Sequence, residues 1–415
     1  MSADPAILLD VSRLVSRIGT GPLTGIDRVE AAWLSHLAPR EHLLLCRVSR
    51  GQLLLPPEAG PAILRWIEGD MAGLPARPGW RERLARRSGP VACAMTDLRR
   101  MAIASAGRSG TGLAEVARRH LPEGAAYLNV GHANLDRRLL AGLKGFRRVV
   151  MIHDTIPLDH PEYTRDGQSE RFRTRFMTAM SLADQVVAIS DATAAQIELW
   201  RGRLGVTHRA PIVTAHIGTV LTPADPGAIP TDFDLSRPFF LSLGTIEPRK
   251  NHALLLDAWE ALARRLPEAG MPRLFILGRR GWNNEQVFAR LDRLPEDSPV
   301  IERAGLPDAA VAALMERAHG LLMPSHAEGY GLPLTEAAGR GVPVLCTPLP
   351  AAREILGDYA TYLQPEAVED WATHIAALAQ SRPIRMTGPK IATWDSHCKR
   401  IIRLLGHPVG GGAAE

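Results

Sequence analysis

LLMPSHAEGYGLPLTE, residues 321–336, is the most informative stretch of this chain for its architecture. The apolar run Leu321–Met323 predicts a short buried strand. Pro333 lies where a helix would begin, because proline is favoured in the first helical turn. A strand, a glycine-rich loop and a helix in this order are typical of a Rossmann-like sheet, whose ligands bind at the carboxyl ends of its strands.

Short apolar runs alternate with helical patterns along most of the chain, which predicts parallel sheets with helices on both faces. The predicted strands are Ile7–Val11, Tyr127–Val130, Val149–His153, Val186–Ile189, Phe239–Leu243, Leu274–Leu277, Leu321–Met323 and Val342–Cys346. The predicted helices are Ile26–Leu37, Glu170–Leu182, Asp191–Trp200, Asn251–Leu266, Ala309–Ala318, Pro333–Gly339 and Val368–Leu378.

A proline-rich segment divides this pattern into two blocks, and a chain of 415 residues fits two domains of ordinary size. We predict an α/β protein with two Rossmann-like domains facing across a cleft: a first domain over 1–222, a linker over 223–237 and a second domain over 238–385. Residues 386–415 contain a helix, Trp394–Leu405, with no strand partner of its own. We expect this helix to cross back to the first domain.

The composition is that of a globular enzyme, with 46% hydrophobic and 22% charged residues. No apolar run approaches the roughly 18 residues that a membrane span requires. The first residues show no pattern of a signal peptide. The four cysteines form no CxxC pair, so neither a zinc site nor a disulfide framework is indicated, and a reduced cytoplasmic setting is expected.

The charge is unevenly distributed between the two halves of the chain. Residues 1–225 contain 29 Lys and Arg against 22 Asp and Glu, whereas the remaining residues contain 20 against 22. A basic first half could contact the inner face of an anionic membrane or an acidic glycan, although a solvated arginine-rich surface explains the excess equally well. Nucleic acid is not expected as a partner, because only 5% of residues are aromatic and no basic stripe is interleaved with them.

The loop within residues 321–336 carries groups suited to a phosphorylated sugar. Glu328 precedes the predicted helix and Glu336 lies within its first turns, and each carboxylate can accept hydrogen bonds from two hydroxyl groups. An ordinary loop with two surface glutamates would have the same sequence. The amides that would lie at the positive end of the helix, and would favour phosphate, belong to Gly329, Tyr330, Gly331 and Leu332.

A second segment, GTIEPRKN at 244–251, also follows a predicted strand and begins a helix. Adjacent Arg249 and Lys250 could neutralise a diphosphate at that strand end. A basic pair after a strand is often only part of the solvated surface.

Together these segments resemble those of glycosyltransferase family 4, the retaining enzymes of the GT-B fold. Glu328 and Glu336 match the E-x7-E arrangement of that family, and GTIEPRKN is similar to its diphosphate segment. LFILGRRGW and VVAISDATAAQI also resemble family segments. The resemblance covers about 185–380 well and the first 150 residues weakly.

The resemblance implies that Arg249 and Lys250 hold the donor diphosphate and that Glu336 holds the nucleotide ribose. It also implies that Glu328, with the loop amides, holds the transferred sugar. The donor would be a nucleotide-sugar, GDP- or UDP-linked, with no cofactor and no metal, and mannose is the favoured sugar. The acceptor would be a glycan or a lipid-linked molecule. Thr245 departs from the family, since many members have arginine there.

The first domain offers weaker candidates. Gly21 and Gly25 belong to the loop GTGPLTGIDR, where the family's glycines let backbone approach donor and acceptor, and where a plain tight turn is the alternative. His153 ends a predicted strand at a position where the resemblance implies a histidine beside the reacting sugar. A strand-end histidine can equally be a structural residue.

Other interpretations remain open at the level of sequence. Asp232 and Asp234 form a DxD, a metal motif of the GT-A fold, but they lie in the linker. The pairs His153-Asp154 and Asp159-His160 could supply metal ligands. A nucleotide-sugar epimerase of the GT-B fold would need no acceptor, a phosphorylase would need a cofactor lysine that no segment suggests, and a non-catalytic sugar-nucleotide-binding protein would be expected to lack part of the charged set.

Overall fold

A computed structural model describes residues 4–21 and 23–406 of the chain, which form two sheets with helices on both faces of each. The first sheet has the strand order β4-β3-β2-β1-β5-β6-β7-β8. Its strands are β1 Ile7–Asp10, β2 His42–Val48, β3 Gly51–Leu55, β4 Ala104–Ala106, β5 Ala126–Asn129, β6 Arg147–Ile152, β7 Gln185–Ala188 and β8 Ile212–Thr214.

The prediction of purely parallel sheets is wrong at one edge of this first sheet. β2 pairs with β3 in antiparallel register, and β3 pairs with β4 in the same way. Only Ser49 and Arg50 connect β2 to β3. So short a turn can form a hairpin but cannot contain the crossover that two parallel strands require.

The second sheet is parallel throughout and has the order β11-β10-β9-β12-β13-β14. This is the strand order of the doubly wound Rossmann fold, in which the direction of winding reverses between the first and the fourth strand. The reversal lies here between β9 and β12, so the loops after these two strands diverge and leave a crevice. The strands are β9 Phe239–Leu243, β10 Arg273–Leu277, β11 Val300–Arg303, β12 Gly320–Met323, β13 Val344–Cys346 and β14 Thr361–Tyr362.

The helices cover both faces of the two sheets. Those of the first domain are α1 Ser12–Ser16, α2 Gly25–Leu37, α3 Ala59–Ile67, α4 Trp80–Leu84, α5 Gly89–Met101, α6 Leu113–His120, α7 Arg137–Gly142, α8 Ile156–Asp159, α9 Gln168–Leu182 and α10 Asp191–Arg203. The later helices are α11 His252–Ala263, α12 Glu285–Asp292, α13 Asp308–Met315, α14 Leu332–Gly339, α15 Pro350–Leu356, α16 Val368–Ala379 and α17 Trp394–Leu405.

Each sheet separates two hydrophobic cores, because successive side chains of a strand point to opposite faces. In β1, Ile7 and Leu9 belong to one core and Leu8 to the other. The inner strands of both sheets are almost entirely buried, as expected for sheets covered by helices on both faces, whereas the edge strands β4, β8, β11 and β14 are mostly not. The predicted fold class, two Rossmann-like domains, is therefore confirmed.

The last helix, α17, packs against the first domain rather than the second. Cys398, Ile401 and Ile402 lie in the same hydrophobic core as Trp33 of α2. The indole Nε1 of Trp33 donates a hydrogen bond to Nε2 of His397 at 3.2 Å. The chain thus leaves the first domain after β8 and returns to it before α17.

The two connections between the domains run side by side. The amide of Thr219, on the outgoing connection, donates a hydrogen bond to the carbonyl of Ala392, on the returning one, at 3.1 Å. Gly218 lies directly against Trp394, since a Cβ at Gly218 would be 2.2 Å from the backbone nitrogen of Trp394. Only glycine fits this crossing without a displacement of the backbone.

Candidate active site

The carboxyl ends of both sheets face a shared cleft of about 720 Å³. The first domain contributes residues within 23–28 and 153–168 together with Ile189 and Ile217, and the second contributes residues within 243–250, 277–282, 303–311 and 328–336. The cleft lies at the point where the order of the second sheet reverses, which is where such sheets bind their ligands. No helix among the described residues has the length and apolar character needed to cross a membrane.

Glu328 lies in the loop after β12 and lines this cleft. Its carboxylate is 2.6 Å from Nζ of Lys250 and 2.8 Å from Nη1 of Arg249, and its side chain is only 8% exposed. Burial would raise the pKa of Glu328, but Arg249 and Lys250 outweigh burial and lower the pKa to about 2. Glu328 is therefore a fixed anion at any physiological pH.

The two cations come from the loop after β9, the neighbouring strand. Arg249 is also bound by Glu247, whose Oε1 is 2.6 Å from Nη2 of Arg249. Burial lowers the pKa of Lys250, and Glu328 opposes that effect. Gly244 has a φ of +127°, and a Cβ there would be 3.3 Å from Cε of Lys250. Glycine at this position therefore avoids a close contact with the Lys250 side chain. The predicted phosphate-binding cations and the predicted sugar-binding carboxylate thus form one cluster.

The end of the loop forms the N-terminus of α14. Gly331 occupies the N-cap position with a left-handed φ of +96°, a conformation that glycine adopts readily. Pro333 follows in the first turn, as the sequence predicted. Glu328, Gly329, Tyr330, Gly331, Leu332 and Glu336 all line the cleft.

Glu336 is held by a residue of the other domain. Nη1 of Arg28, on α2, is 2.9 Å from Oε1 of Glu336, and Nη2 of Arg28 is 3.0 Å from the carboxylate of Asp308. Burial raises the pKa of Glu336 although Arg28 lowers it. Arg28 and Asp308 were not among the residues singled out from the sequence, although Arg28 ends the glycine-rich segment at 19–28. No local pattern pairs residues 280 or 308 positions apart.

The backbones of the two domains come into close contact at Gly329. A Cβ at this position would lie 2.3 Å from the carbonyl oxygen of His153 and 2.9 Å from Cβ of Asp154. The hydroxyl of Ser190 donates a hydrogen bond to the Gly329 carbonyl at 3.2 Å. The loop next to Glu328 therefore touches the strand end that carries His153.

His153 is buried at the cleft wall. Its Nε2 is 2.6 Å from the carbonyl oxygen of Val130, which can only accept, so Nε2 carries the proton and Nδ1 carries the lone pair. Burial lowers the pKa of His153 to about 4, which keeps the ring neutral. The backbone amide of His153 donates to Nε2 of His132 at 3.3 Å, and His132 has a left-handed φ of +57°.

The two glycines of the first-domain loop differ in their positions. Gly25 begins α2 and lines the cleft, where a Cβ would be 3.7 Å from Leu332 of the second domain. Gly21 is exposed, has a φ of +90° and is not among the residues that line the cleft. Asp27, in the first turn of α2, binds Arg13 and Arg17 and so anchors this loop.

The aspartates that resemble a metal motif are bound to arginines. Asp232 pairs with Arg303, and Asp234 pairs with Arg273. Asp159 accepts hydrogen bonds from Thr155 and from the indole of Trp200. Within 4–21 and 23–406, no group of three or more His, Cys, Asp or Glu side chains is arranged to hold a metal ion.

A further set of contacts joins the two domains at Trp282, which also lines the cleft. The indole of Trp282, after β10, donates to the carbonyl of Tyr163 in the first domain at 2.9 Å. Asn283 donates to the carbonyl of Thr164 at 3.1 Å, and the guanidinium of Arg165 lies 4.5 Å from the Trp282 ring centre. Trp282 ends the segment LFILGRRGW, so a signal for this wall was present in the sequence.

Comparison with known proteins finds similarity mainly in the second domain. Residues 230–387 match the family model for glycosyl transferases group 1. The serotype-specific mannosyltransferase WbdA of Escherichia coli is 28% identical over 274 residues, which are 61% of this chain and 33% of WbdA. The O-antigen chain mannosyltransferase B of Escherichia coli is 28% identical over 236 residues, 55% of this chain and 60% of that protein. The chain thus spans about a third of the length of WbdA.

Solved structures show the same architecture over nearly the whole chain. Anabaena HepE in complex with UDP and glucose has a TM-score of 0.61 at 16% identity, covering 97% of this chain and 99% of that one. The sucrose-phosphate synthase of Thermosynechococcus elongatus has a TM-score of 0.57 at 13% identity, covering 97% and 94%. The GT-B fold is therefore confirmed.

Proposed function

We propose that this chain, whose residues 230–387 match the family model for glycosyl transferases group 1, is a retaining glycosyltransferase of polysaccharide biosynthesis. It transfers a sugar, favoured to be mannose, from a nucleotide-sugar to a glycan or lipid-linked acceptor. One observation carries the proposal. Glu328 and Lys250 lie 2.6 Å apart beside the N-terminus of α14, and the loop that holds them touches the strand end of His153 across the cleft.

The positive groups of the second domain are suited to a diphosphate. The N-terminus of α14 presents amides and a partial positive charge, and Lys250 adds a full charge beside it. Glu328 would then accept hydrogen bonds from the hydroxyl groups of the sugar while it keeps Lys250 in place. Glu336 would accept those of the ribose once Arg28 moves from it.

Retention of configuration requires that the new bond form on the face that the old one leaves. The acceptor oxygen bonds to the anomeric carbon, the bond from that carbon to the diphosphate breaks, and a diphosphate oxygen takes the acceptor proton. Lys250, Arg249 and the helix amides would stabilise the charge on the departing diphosphate, so the step as proposed needs no metal. The neutral His153 could bind a sugar hydroxyl through Nδ1.

The choice of mannose is supported by the relatives, which are named as mannosyltransferases. HepE was solved with UDP and glucose, so both GDP- and UDP-linked donors belong in a test. The purified chain would be incubated with GDP-mannose, UDP-glucose or UDP-N-acetylglucosamine, with and without a mannoside acceptor and with and without EDTA. Proton NMR would report the product and its anomeric configuration.

We expect acceptor-dependent transfer from one donor, with the α-configuration retained and with activity that survives EDTA. Release of an altered free sugar without acceptor would instead identify an epimerase. Donor binding without turnover would identify a non-catalytic sugar-nucleotide-binding protein. Activity lost on chelation and restored by Mn²⁺ would contradict the metal-free step.

We also propose that the first domain contacts an anionic membrane, as a peripheral protein of its cytoplasmic face. The side chains of Trp80 and Leu84 on α4 are 64% and 60% exposed. The chain after α4 reaches Pro90, which contacts Gly19 in the loop that leads to the cleft, so this surface lies close to the cleft. Exposed aromatic and apolar side chains among basic residues are typical of membrane-surface elements. The basic residues around them are Arg77, Arg81, Arg83, Arg86 and Arg87.

Vesicle sedimentation would test this contact. We expect binding to vesicles that contain phosphatidylglycerol, no binding to pure phosphatidylcholine, and a loss of binding at high salt because salt screens the arginines. Replacing Trp80 and Leu84 together by serine should weaken binding. Leu199→Ser, at an exposed leucine of α10, is the matched control. Equal failure to bind either vesicle would contradict the proposal.

A further inference from the structure

The carboxyl edge of the first sheet carries a group of arginines outside the cleft. They follow β1, end β2 and lie on α9, and we call them the arginine edge: Arg13, Arg47, Arg171 and Arg175. The backbone amide of Arg47 donates to the hydroxyl of Ser12 at 2.8 Å, which places Arg47 next to Arg13. Arg13, Arg47 and Arg171 are charged groups close enough to act electrostatically on Arg175.

One face of α9 connects this group to the cleft. Gln168, Arg171, Phe172 and Arg175 follow each other at helical spacing, so their side chains share a face. Gln168 lines the cleft, and the ring of Phe172 lies 5.8 Å from the ring of His132. His132 in turn lies 4.9 Å from His153. The arginine edge therefore begins where the wall of the cleft formed by the first domain ends.

The positive charge of this edge is poorly matched by acidic groups. Asp27 binds Arg13 at 2.6 Å, and it is shared with Arg17. Within the part of the chain that the structure describes, the guanidinium of Arg171 donates only to the carbonyl of Asp166, at 3.4 Å. Among the described residues, the guanidinium groups of Arg47 and Arg175 have neither an ion-pair partner nor a hydrogen-bond acceptor.

The other carboxyl groups facing this edge do not supply the missing charge. Asp10 and Glu30 are buried beneath it, and burial raises the pKa of both carboxyl groups. Half-buried Arg175 is therefore surrounded by like charges, and burial, together with Arg47, Arg171 and Arg13, lowers its pKa. Like charges at close range repel, and a bound anion would remove that repulsion.

We propose that the arginine edge binds a phosphate or diphosphate group of the acceptor, an inference that rests on the proposed transfer. The reacting hydroxyl of an acceptor must enter the cleft to meet the donor, so a charged group farther along that acceptor would lie outside it on the first domain. Guanidinium groups bind phosphate through two parallel hydrogen bonds, which suits arginine better than lysine to this role. The phosphate could belong to a lipid diphosphate or to a phosphorylated glycan.

Calorimetry with inorganic pyrophosphate tests the site itself. The full chain with Lys250→Ala is the background, so that binding at the donor cluster is weakened. We expect saturable binding that becomes at least about tenfold weaker with Arg175→Gln, and again with Arg171→Gln, because each loses a charge-assisted contact. Arg173→Gln lies between them on the exposed side of α9, beside Glu170, and should bind as the background does.

Pyrophosphate binding that is unchanged by Arg175→Gln and Arg171→Gln, or absent from the background, would overturn the inference. Circular dichroism would confirm that the variants are folded. Farnesyl diphosphate, with farnesol as its uncharged control, separates the two sources of phosphate. Tighter binding of farnesyl diphosphate than of pyrophosphate, lost with Arg175→Gln, would support a lipid diphosphate, and equal binding would support a phosphorylated glycan.

The same variants separate failure of this inference from failure of the proposed transfer. Transfer to an uncharged mannoside, with pyrophosphate binding that ignores Arg175, would leave the transferase standing and remove the anion site. Arginine-dependent binding in a chain that transfers no sugar from any donor would keep the site but contradict its assignment to an acceptor.

Discussion

Glu328 and Glu336 lie eight residues apart on one loop and helix, yet their partners come from different parts of the molecule. Glu328 is bound by Lys250 and Arg249 of its own domain and is nearly excluded from solvent. Glu336 is bound by Arg28 of the other domain, whose side chain is 37% exposed. In the proposed function, Glu336 would have to leave Arg28 before it binds a ribose, whereas Glu328 would keep its cations while it binds the sugar.

The sharpest way to test this contrast is Glu328→Gln. The amide would leave Lys250 and Arg249 without their shared anion, and it would weaken contacts to the sugar where charge develops. We expect kcat to fall by about a hundredfold, equivalent to about 2.7 kcal/mol, with a smaller change in donor KM. Steady-state kinetics with circular dichroism would measure it. Glu296→Gln, at an exposed glutamate of the same domain, is the control.

If Glu328→Gln keeps its full kcat with the correct donor, the loop after β12 is not the reacting centre.

Gly329→Ala tests whether Glu328 must meet the first domain to act. The new methyl group would lie 2.3 Å from the His153 carbonyl, so the two strand ends must separate. Since displacements of about 1 Å can lower rates by about a hundredfold, we expect kcat/KM to fall about thirtyfold. Small-angle scattering should show a wider separation of the domains. Gly202→Ala, in a helix and with nothing within 4 Å of the added Cβ apart from the helix's own backbone, should change neither measurement.

An unaltered kcat/KM in Gly329→Ala would mean that the close approach of the domains is not needed for activity.

Lys250→Ala removes one of the two cations that hold Glu328. A charge-assisted contact to phosphate contributes about 1.5–3 kcal/mol, so we expect donor KM to rise and kcat to fall by at least about tenfold. Arg249 still neutralises Glu328 in this variant, so the fold should remain intact. Thermal melting would verify that, and normal kinetics would rule out a role of Lys250 at the diphosphate.

The smallest effects are expected at the pair that joins the domains. Glu336→Gln should raise donor KM about fivefold and leave kcat largely unchanged, because ribose binding is remote from the reacting bond.

Arg28→Gln should lower the donor dissociation constant about two- to fivefold, because it frees Glu336 from a partly exposed ion pair. Calorimetry with the donor would compare them. Weaker donor binding in Arg28→Gln would indicate that Arg28 itself contacts the donor.

The same contrast explains which parts of the site could be predicted from sequence. Glu328, Lys250 and α14 lie in short segments whose order along the chain already implies strand, loop and helix. The parallel order of the second sheet then brings the ends of β9 and β12 together. The ion pair of Arg28 depends on how two domains are placed, and no spacing in the sequence encodes that placement.

The first domain was harder to predict for a different reason. Its β2 and β3 are buried on both faces, so His42–Val48 and Gly51–Leu55 show no alternation that distinguishes a strand from a buried helix. The antiparallel edge depends on the two-residue turn between them. Likewise His132 and the arginine edge acquire their proximity to the cleft only through the order of the sheet.

The return of α17 to the first domain has a mechanical consequence. Two connecting segments join the domains, and they are in contact at Gly218 and Trp394. A single tether would let one domain twist freely against the other, but paired tethers resist torsion and leave bending about their shared crossing as the easier movement. We therefore expect the domains to move by a hinge motion about this crossing. Such a motion returns Glu328 to the same position opposite His153 each time the cleft closes.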